Sequence, residues 1–248
     1  MLDDWYRLIR LPITLEQFHA LPRNPVYKYE YIDGEARLTP RPKTLNAVLS
    51  LSRRPICDDS LAEEGITIRP LAQYDWEPLL PVFSASFATM PPFASLIDAD
   101  RNQCTLECLE QTRTGGDGPV IEPACFVACS QEHVAGAILI TLIPRRDEGE
   151  WWHGKWDEPP PADAVTRRLG RPHLTWVFVS PWTSRQGVGS ALLAHSVNAL
   201  LDLGYCDLAS TFLVGNDISM LWHWRNGFRL LPYPPMPQAM QTRPKQER

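Results

Sequence analysis

Positive charge is not in excess in this chain. Its 24 basic residues stand against 29 acidic ones, a formal charge of −5, so the basic surface that a nucleic-acid partner needs is missing. The first residues lack the basic-then-apolar order of a secretory signal, because Asp3, Asp4, Arg7 and Arg10 interrupt short apolar stretches that are also too short to span a membrane. A cytoplasmic protein with no nucleic-acid and no membrane partner is expected. The six cysteines, at 57, 104, 108, 125, 129 and 206, contain no Cys-x-x-Cys pair, and the Cys104/Cys108 spacing suits one helix face as well as it suits a metal. They read as reduced, packed thiols, with no metal expected. No Gly-x-x-x-x-Gly-Lys-Ser/Thr loop is present, which disfavours a nucleotide-hydrolysing P-loop. The Gly-x-Gly at 187–189 lacks the third glycine of a dinucleotide-binding turn.

The chain has much proline and tryptophan, 24 and 9 residues. The prolines cluster in 22–55, 159–161 and 232–237, where boundaries and loops are expected. Thr14 with Gln17 three residues on reads as a capping box for a short helix over 14–20. Tyr27, Tyr29 and Tyr31 then alternate with Lys28 and Glu30. Asp33 and Gly34 supply a two-residue turn, and 35–39 alternate again, so this segment reads as a β-hairpin. Pro40 and Pro42 stop the second strand, and 44–64 read as a linker or a short helix, with a boundary near Glu64. The expected organisation is an N-terminal extension and linker over 1–64, a main domain over 65–231 and a Pro-rich, flexible tail over 232–248. The helix and hairpin resemble the opening segment of a family of small restriction-endonuclease-like proteins. The later acidic and lysine positions that would hold a metal there are not recognisable, so the likeness reads as structural only.

From Ile66 the pattern becomes a short strand, then a helix over 75–87 with Asp75 as its cap, then a second helix over 97–111. Residues 124–129 form an apolar run that reads as a buried strand, and 134–143 as its antiparallel neighbour. The stretch 144–172 carries Trp151, Trp152, Trp156 and three consecutive prolines. It is long for a connection inside a compact domain and reads equally as the lining of a substrate cleft or as a folded-back loop.

Residues 173–180 then form a strand that stops at Pro181. The loop after it carries Gly187 and Gly189 and runs into a segment with apolar residues at 192, 193, 197, 200 and 201, which is helical spacing. A strand, a glycine-containing loop and a helix in that order aim backbone N–H groups and the positive end of the helix at one spot, and the glycines allow an anion close approach. The arrangement suits a phosphate. Beyond it come a strand over 207–214 and a helical segment from Asn216 to Phe228.

Here the sequence resembles the GNAT superfamily of N-acetyltransferases over 66–231. The family's phosphate loop falls on Ser184, Gly187 and Gly189, and its C-terminal motif on Asn216, Ser219, His223, Gly227 and Phe228. Ser184 replaces the usual basic or amide side chain, for which Arg185 or Gln186 compensates, and His223 stands where the family often has a tyrosine. The resemblance implies an α/β (α+β) GNAT fold, a mixed central sheet flanked by helices, with the N-terminal helix and hairpin as an appendage. It implies acetyl-CoA as co-substrate, with backbone groups of Val177, Phe178 and Val179 on its pantetheine arm. The N–H groups of Arg185, Gln186, Gly187, Val188, Gly189 and Ser190 would take its pyrophosphate, and Asn216 would bond the arm or the chain nearby.

Acetyl transfer to an amine needs a neutral nucleophile, a donor for the oxyanion and protonation of the departing thiolate. By resemblance the donor is the Val179 N–H. His223 is the candidate acid, since an imidazole with a pKa of about 6.5 donates near neutral pH, and a packed or capping histidine is the alternative. No carboxylate stands on 174–179 to act as base, which leaves His173, Glu150, His153 or a water chain. Trp222 and Trp224 read as packing. The expected activity is acetylation of a primary amine, on a small molecule or a protein, by direct attack. A non-catalytic acyl-CoA-binding module and a partner-binding protein that uses the 27–39 hairpin stay open, as does a homodimer.

Overall fold

The computed structural model describes residues 9–21, 27–40, 44–56, 58–90, 93–131, 133–145, 155–213 and 216–231. Cys57, Glu150, Trp151, Trp152, His153, Val214 and the tail over 232–248 lie outside the described residues.

Among those described, the chain begins with β1 (Ile9–Leu11), α1 (Leu15–Ala20), β2 (Tyr27–Ile32) and β3 (Glu35–Pro40). Thr14 Oγ1 accepts from the Gln17 N–H at 3.2 Å and Gln17 Oε1 accepts from the Thr14 N–H at 2.9 Å, the expected capping box. Asp33 and Gly34 take φ of 53° and 81°, the left-handed pair that a tight hairpin turn requires. A sheet in the order β1-β3-β2 results, with a small core of Phe18, Ala36 and Leu38.

The next element corrects the reading of 44–64 as linker or short helix. Residues 44–50 are a strand, β4 (Thr44–Ser50), antiparallel to β9 (Asp207–Leu213) over all seven residues, Thr44 opposite Leu213 and Ser50 opposite Asp207. Its buried side chains are Ala47 and Leu49, a weak alternation that a single short strand carries only when a partner strand distant in sequence fixes it. A boundary at 64 therefore cuts through a sheet. The short-helix part of the reading is met further on, by α2 (Asp58–Glu63).

The main sheet runs β10-β4-β9-β8-β7-β6-β5. Its remaining strands are β5 (Ile66–Pro70), β6 (Phe126–Ser130), β7 (His133–Pro144), β8 (Gly170–Val179) and β10 (Arg229–Leu230). The helices are α3 (Trp76–Phe87) and α4 (Asp98–Arg113) between β5 and β6, α5 (Val188–Asp202) between β8 and β9, and α6 (Asp217–Arg225) before β10. β7 reads as a nearly unbroken apolar run because it is covered on both faces: residues 135–142 are all buried. Asp75 does not cap α3. Its carboxylate accepts two bonds from Arg69, both 2.7 Å, and one from the Ala72 N–H at 2.7 Å. In the 144–172 stretch the Trp156 Nε1 donates to the Leu142 carbonyl at 2.9 Å, so the described part folds back onto β7. Cys125 is buried and its thiol accepts from the Ile140 N–H at 3.2 Å, with burial pushing its pKa up to about 12, whereas Cys206 is exposed rather than packed.

Candidate functional site

β8 is antiparallel to β7 along its length but parallel to β9 at two positions only, His173 beside Ala209 and Leu174 beside Ser210. The cause is local. Leu139 faces Trp176 and Ile140 faces Leu174, so Thr175 is an extra residue, a bulge that bends β8 away from β9. Beyond it the two strands diverge and leave an open wedge.

The Ser180 N–H donates to the Ala135 carbonyl at 2.7 Å. Bonded and non-bonded pairs alternate in an antiparallel ladder, so Phe178 bonds to Ala137, while Val177 and Val179 turn their N–H and C=O groups into the wedge. Of the three strand residues singled out from sequence, Phe178 is thus the exception: its ring packs 5.1 Å from that of Phe83. The Val179 carbonyl accepts from Ser86 Oγ at 2.8 Å, and the same hydroxyl lies 2.7 Å from the Val82 carbonyl. Gly136 stands opposite Val179. A Cβ there would come within 2.7 Å of the Phe178 carbonyl, so only glycine keeps β7 and β8 this close. Neither Ser86 nor Gly136 was visible in the sequence, because each acts through a backbone atom of a distant strand.

Pro181–Thr183 form a 3-10 turn, and Ser184 Oγ turns back to the Pro181 carbonyl at 2.8 Å. Arg185 and Gly187 take φ of 69° and 83°. Left-handed residues set between ordinary ones curl successive N–H groups toward a common centre. Arg185, Gln186, Gly187 and Ser190 are exposed and Val188 is buried. Whereas Thr14 and Asn216 cap α1 and α6, no side chain caps α5. Ser190 and Ala191 donate to the Gly187 carbonyl, both at 3.0 Å, which leaves Val188 and Gly189 as donors without an intrahelical partner. The positive end of a 15-residue helix therefore opens beside the wedge.

α6 closes the other side. Asn216 Oδ1 accepts from the Ser219 N–H at 3.0 Å, so the side chain expected on a cofactor arm caps its own helix. His223 is 4% exposed. Its Nδ1 lies 2.7 Å from the Ser219 carbonyl, its Nε2 lies 2.7 Å from Ser210 Oγ, and its ring stacks on Phe212 at 4.4 Å. Desolvation lowers its pKa to about 4, against a smaller opposing effect of the Ser219 bond. Such an environment keeps the imidazole neutral at pH 7, which corrects its reading as an acid that donates near neutrality and favours the packed alternative. Trp222 packs inward against Phe228, in line with the reading of both tryptophans as packing, whereas Trp224 is 72% exposed and departs from it.

A row of polar side chains crosses the sheet at the bulge. Thr141 and Thr175 hydroxyls are 2.8 Å apart, His173 Nδ1 is 3.2 Å from Thr175 Oγ1 and its Nε2 is 3.1 Å from Thr211 Oγ1, which donates to Asn46 Oδ1 at 2.9 Å. His173 is partly buried, and desolvation, helped by His223, lowers its pKa to about 4. It is a weak base held by hydroxyls on both sides.

The model of the acetyltransferase (GNAT) family matches residues 107–228. No protein of curated function matches the sequence. Among solved structures, the chain is similar to the PaiA N-acetyltransferase of Thermoplasma acidophilum in complex with coenzyme A, 15% identical, covering 66% of this chain and 89% of that one with a TM-score of 0.43. It is similar to a GNAT family acetyltransferase from Brucella melitensis in complex with acetyl-CoA, with 20% identity, 70% and 92% coverage and a TM-score of 0.44. The aminoglycoside 6'-N-acetyltransferase AAC(6')-Ih of Acinetobacter baumannii gives 15%, 69%, 96% and 0.44. The family match runs from within α4 to just past the end of α6 and so takes in the elements that build the bulge, the wedge and the uncapped helix; over those residues the chain matches the GNAT acetyltransferase family.

Proposed function

We propose that this chain transfers an acetyl group from acetyl-CoA to a primary amine. The observation that carries the reading is the wedge between β8 and β9, opened by Thr175 directly beside the uncapped start of α5. An extended chain that ends in a pyrophosphate fits such a site. The wedge offers the backbone N–H and C=O of Val177 and the N–H of Val179 to amides, the Val179 carbonyl being held by Ser86, and the loop over Arg185–Ser190 offers N–H groups and the helix end to the anion. The residues present fit the group: Gly187 leaves open space, with nothing within 4 Å of a Cβ placed there, and the Trp222 Nε1 beside Gly189 is buried without a partner among the described residues.

Acetyl-CoA supplies the thioester. The Val179 N–H, turned into the wedge, is the donor for the oxyanion as the amine nitrogen bonds to the carbonyl carbon and the C–S bond breaks. The electron pair leaves on sulfur. A thiol of pKa about 8.5 is a fair leaving group without an acid, consistent with His223 as a structural residue. With His173 and His223 both at about 4, the described wedge holds no strong base. The proton of the amine then passes to water, and the hydroxyl row at the bulge can only relay it. The acceptor is a primary amine on a small molecule or a protein. The same lack of a base also favours a second reading, an acyl-CoA-binding module without turnover.

Calorimetric titration of acetyl-CoA into the protein, beside a Gly187→Trp variant checked by circular dichroism, tests the site. Micromolar binding by the wild type alone supports it, and no binding by the wild type removes it. Release of free thiol with a panel of primary amines then separates the enzyme from the binding module.

A further inference from the structure

We propose that the Trp222 indole N–H donates a hydrogen bond to a pyrophosphate oxygen of the bound acyl-CoA, a role that rests on the reading above. Trp222 Nε1 is shut off from solvent and has no acceptor among the described residues. A buried donor left unpaired costs folding free energy, and a ring of the same shape without the N–H would supply the same packing without that cost. The ring is otherwise well held, edge-on to His223 at 5.0 Å and tilted on Phe228 at 6.2 Å.

The orphan lies at the mouth of the anion loop. A Cβ placed on Gly189 would come 3.1 Å from Trp222 Nε1 and 3.8 Å from Val179 Cγ2. The indole edge, the first turn of α5 and the end of β8 therefore bound one small space. Gly189 is one of the two donors that helix geometry leaves without an intrahelical partner. An acceptor oxygen seated on its N–H has the indole edge as its neighbour and meets Nε1 once that edge turns outward, since the nitrogen is closed to solvent without ligand. The ligand thus satisfies a donor that the empty protein leaves unpaired, and the protein tolerates the defect because binding removes it.

The test uses the full chain, with Trp222→Phe and with benzothienylalanine at position 222, which keeps the shape of the indole without its N–H. Melting temperature is read without ligand, and affinity is read by calorimetry for CoA and for pantetheine, which lacks the pyrophosphate. The expected result is an unchanged or higher melting temperature, a CoA Kd raised about ten-fold and an unchanged pantetheine Kd. One indole N–H resonance, missing in both variants, should move downfield on addition of CoA to the wild type. Equal CoA affinity in wild type and isostere overturns the proposal and makes the orphan a packing defect, and equal weakening for pantetheine overturns the assignment to the pyrophosphate. If Trp222→Phe unfolds, the isostere decides. If the wild type binds no CoA, the functional reading fails first, which is a different outcome from these.

Discussion

The imidazole of His223 and the hydroxyl of Ser210 stand 2.7 Å apart between α6 and β9, and the other ring nitrogen lies 2.7 Å from the Ser219 carbonyl. A carbonyl can only accept, so Nδ1 carries the proton and Nε2 accepts from Ser210. This neutral ring has a consequence for stability. His173 and His223 have folded pKa values lowered to about 4, whereas in the unfolded chain a histidine titrates near 6.5. Between those values the unfolded state binds more protons, so stability is fully present above about 6.5 and is lost as pH falls toward 4, by at most about 1.4 kcal/mol per pH unit per histidine. Urea denaturation at about pH 7.5 and about pH 5 should show the loss, and His223 should not titrate by NMR in that interval. A normal titration near 6.5 would mean that the ring is not buried as described.

The same pair bears on the rate. With neither histidine able to hold a proton at neutral pH, the amine must lose its own. For an acceptor of lysine-like pKa, about 10.4, kcat/KM should rise about ten-fold per pH unit from about pH 6 to about pH 9, without a plateau from a group near 6 to 7. A bell-shaped profile with a basic limb in that range would point to a base outside the described residues, for which Glu150 and His153 are the candidates.

Two glycines should separate binding from stability. Gly187→Ala places a methyl group in open space at φ 83°, so it should cost only about 1 kcal/mol of backbone strain while weakening acetyl-CoA binding through the distorted loop. Gly136→Ala drives a Cβ to 2.7 Å from the Phe178 carbonyl and 3.1 Å from the Val179 Cα. Both contacts are backbone, so β7 and β8 must part, at a cost of about 1–3 kcal/mol. Denaturant midpoints and calorimetry on the two variants check this, and a Gly136→Ala protein as stable as wild type would refute the close approach.

What the sequence made legible were features with a local cause. The Thr14 and Gln17 box, the Asp33 and Gly34 turn and the apolar run of β7 each depend on residues a few positions apart, and of the glycines in the α5 loop Gly187 is required by its φ of 83°. The wedge is different. It arises from one surplus residue, Thr175, in a register fixed by β7, and nothing about a threonine marks it as a bulge. His223 was recognised by position, but the sequence left open whether it is an acid or a packed histidine, because its neutral state depends on Ser210, Phe212 and Phe228, which only folding brings around it. β4 was missed for the same reason, since its partner is more than 150 residues away in the chain.

That missed strand gives the sharpest test of the architecture. The small core of Phe18, Ala36 and Leu38 shares no residue with the main core, which includes Ala47 and Leu49 of β4. β4 also holds β10, and the segment after it is tied down. The Leu51 N–H donates to the Cys206 carbonyl at 2.9 Å, and Arg54 exchanges two backbone bonds with the Asn198 side chain, both 2.9 Å. A chain beginning at residue 41 should therefore keep the cooperative unfolding of the main sheet. A chain beginning at residue 57 loses a seven-residue ladder, strands β10 and exposes the edge of β9. Removing the buried Leu49 side chain alone costs about 2–5 kcal/mol, a large share of the roughly 5–15 kcal/mol that stabilises a domain. The longer truncation should be unfolded or aggregated by circular dichroism and size-exclusion chromatography. If both truncations fold equally well, β4 is dispensable and the sheet closes at β9; if both fail, the N-terminal sheet is part of the folding unit.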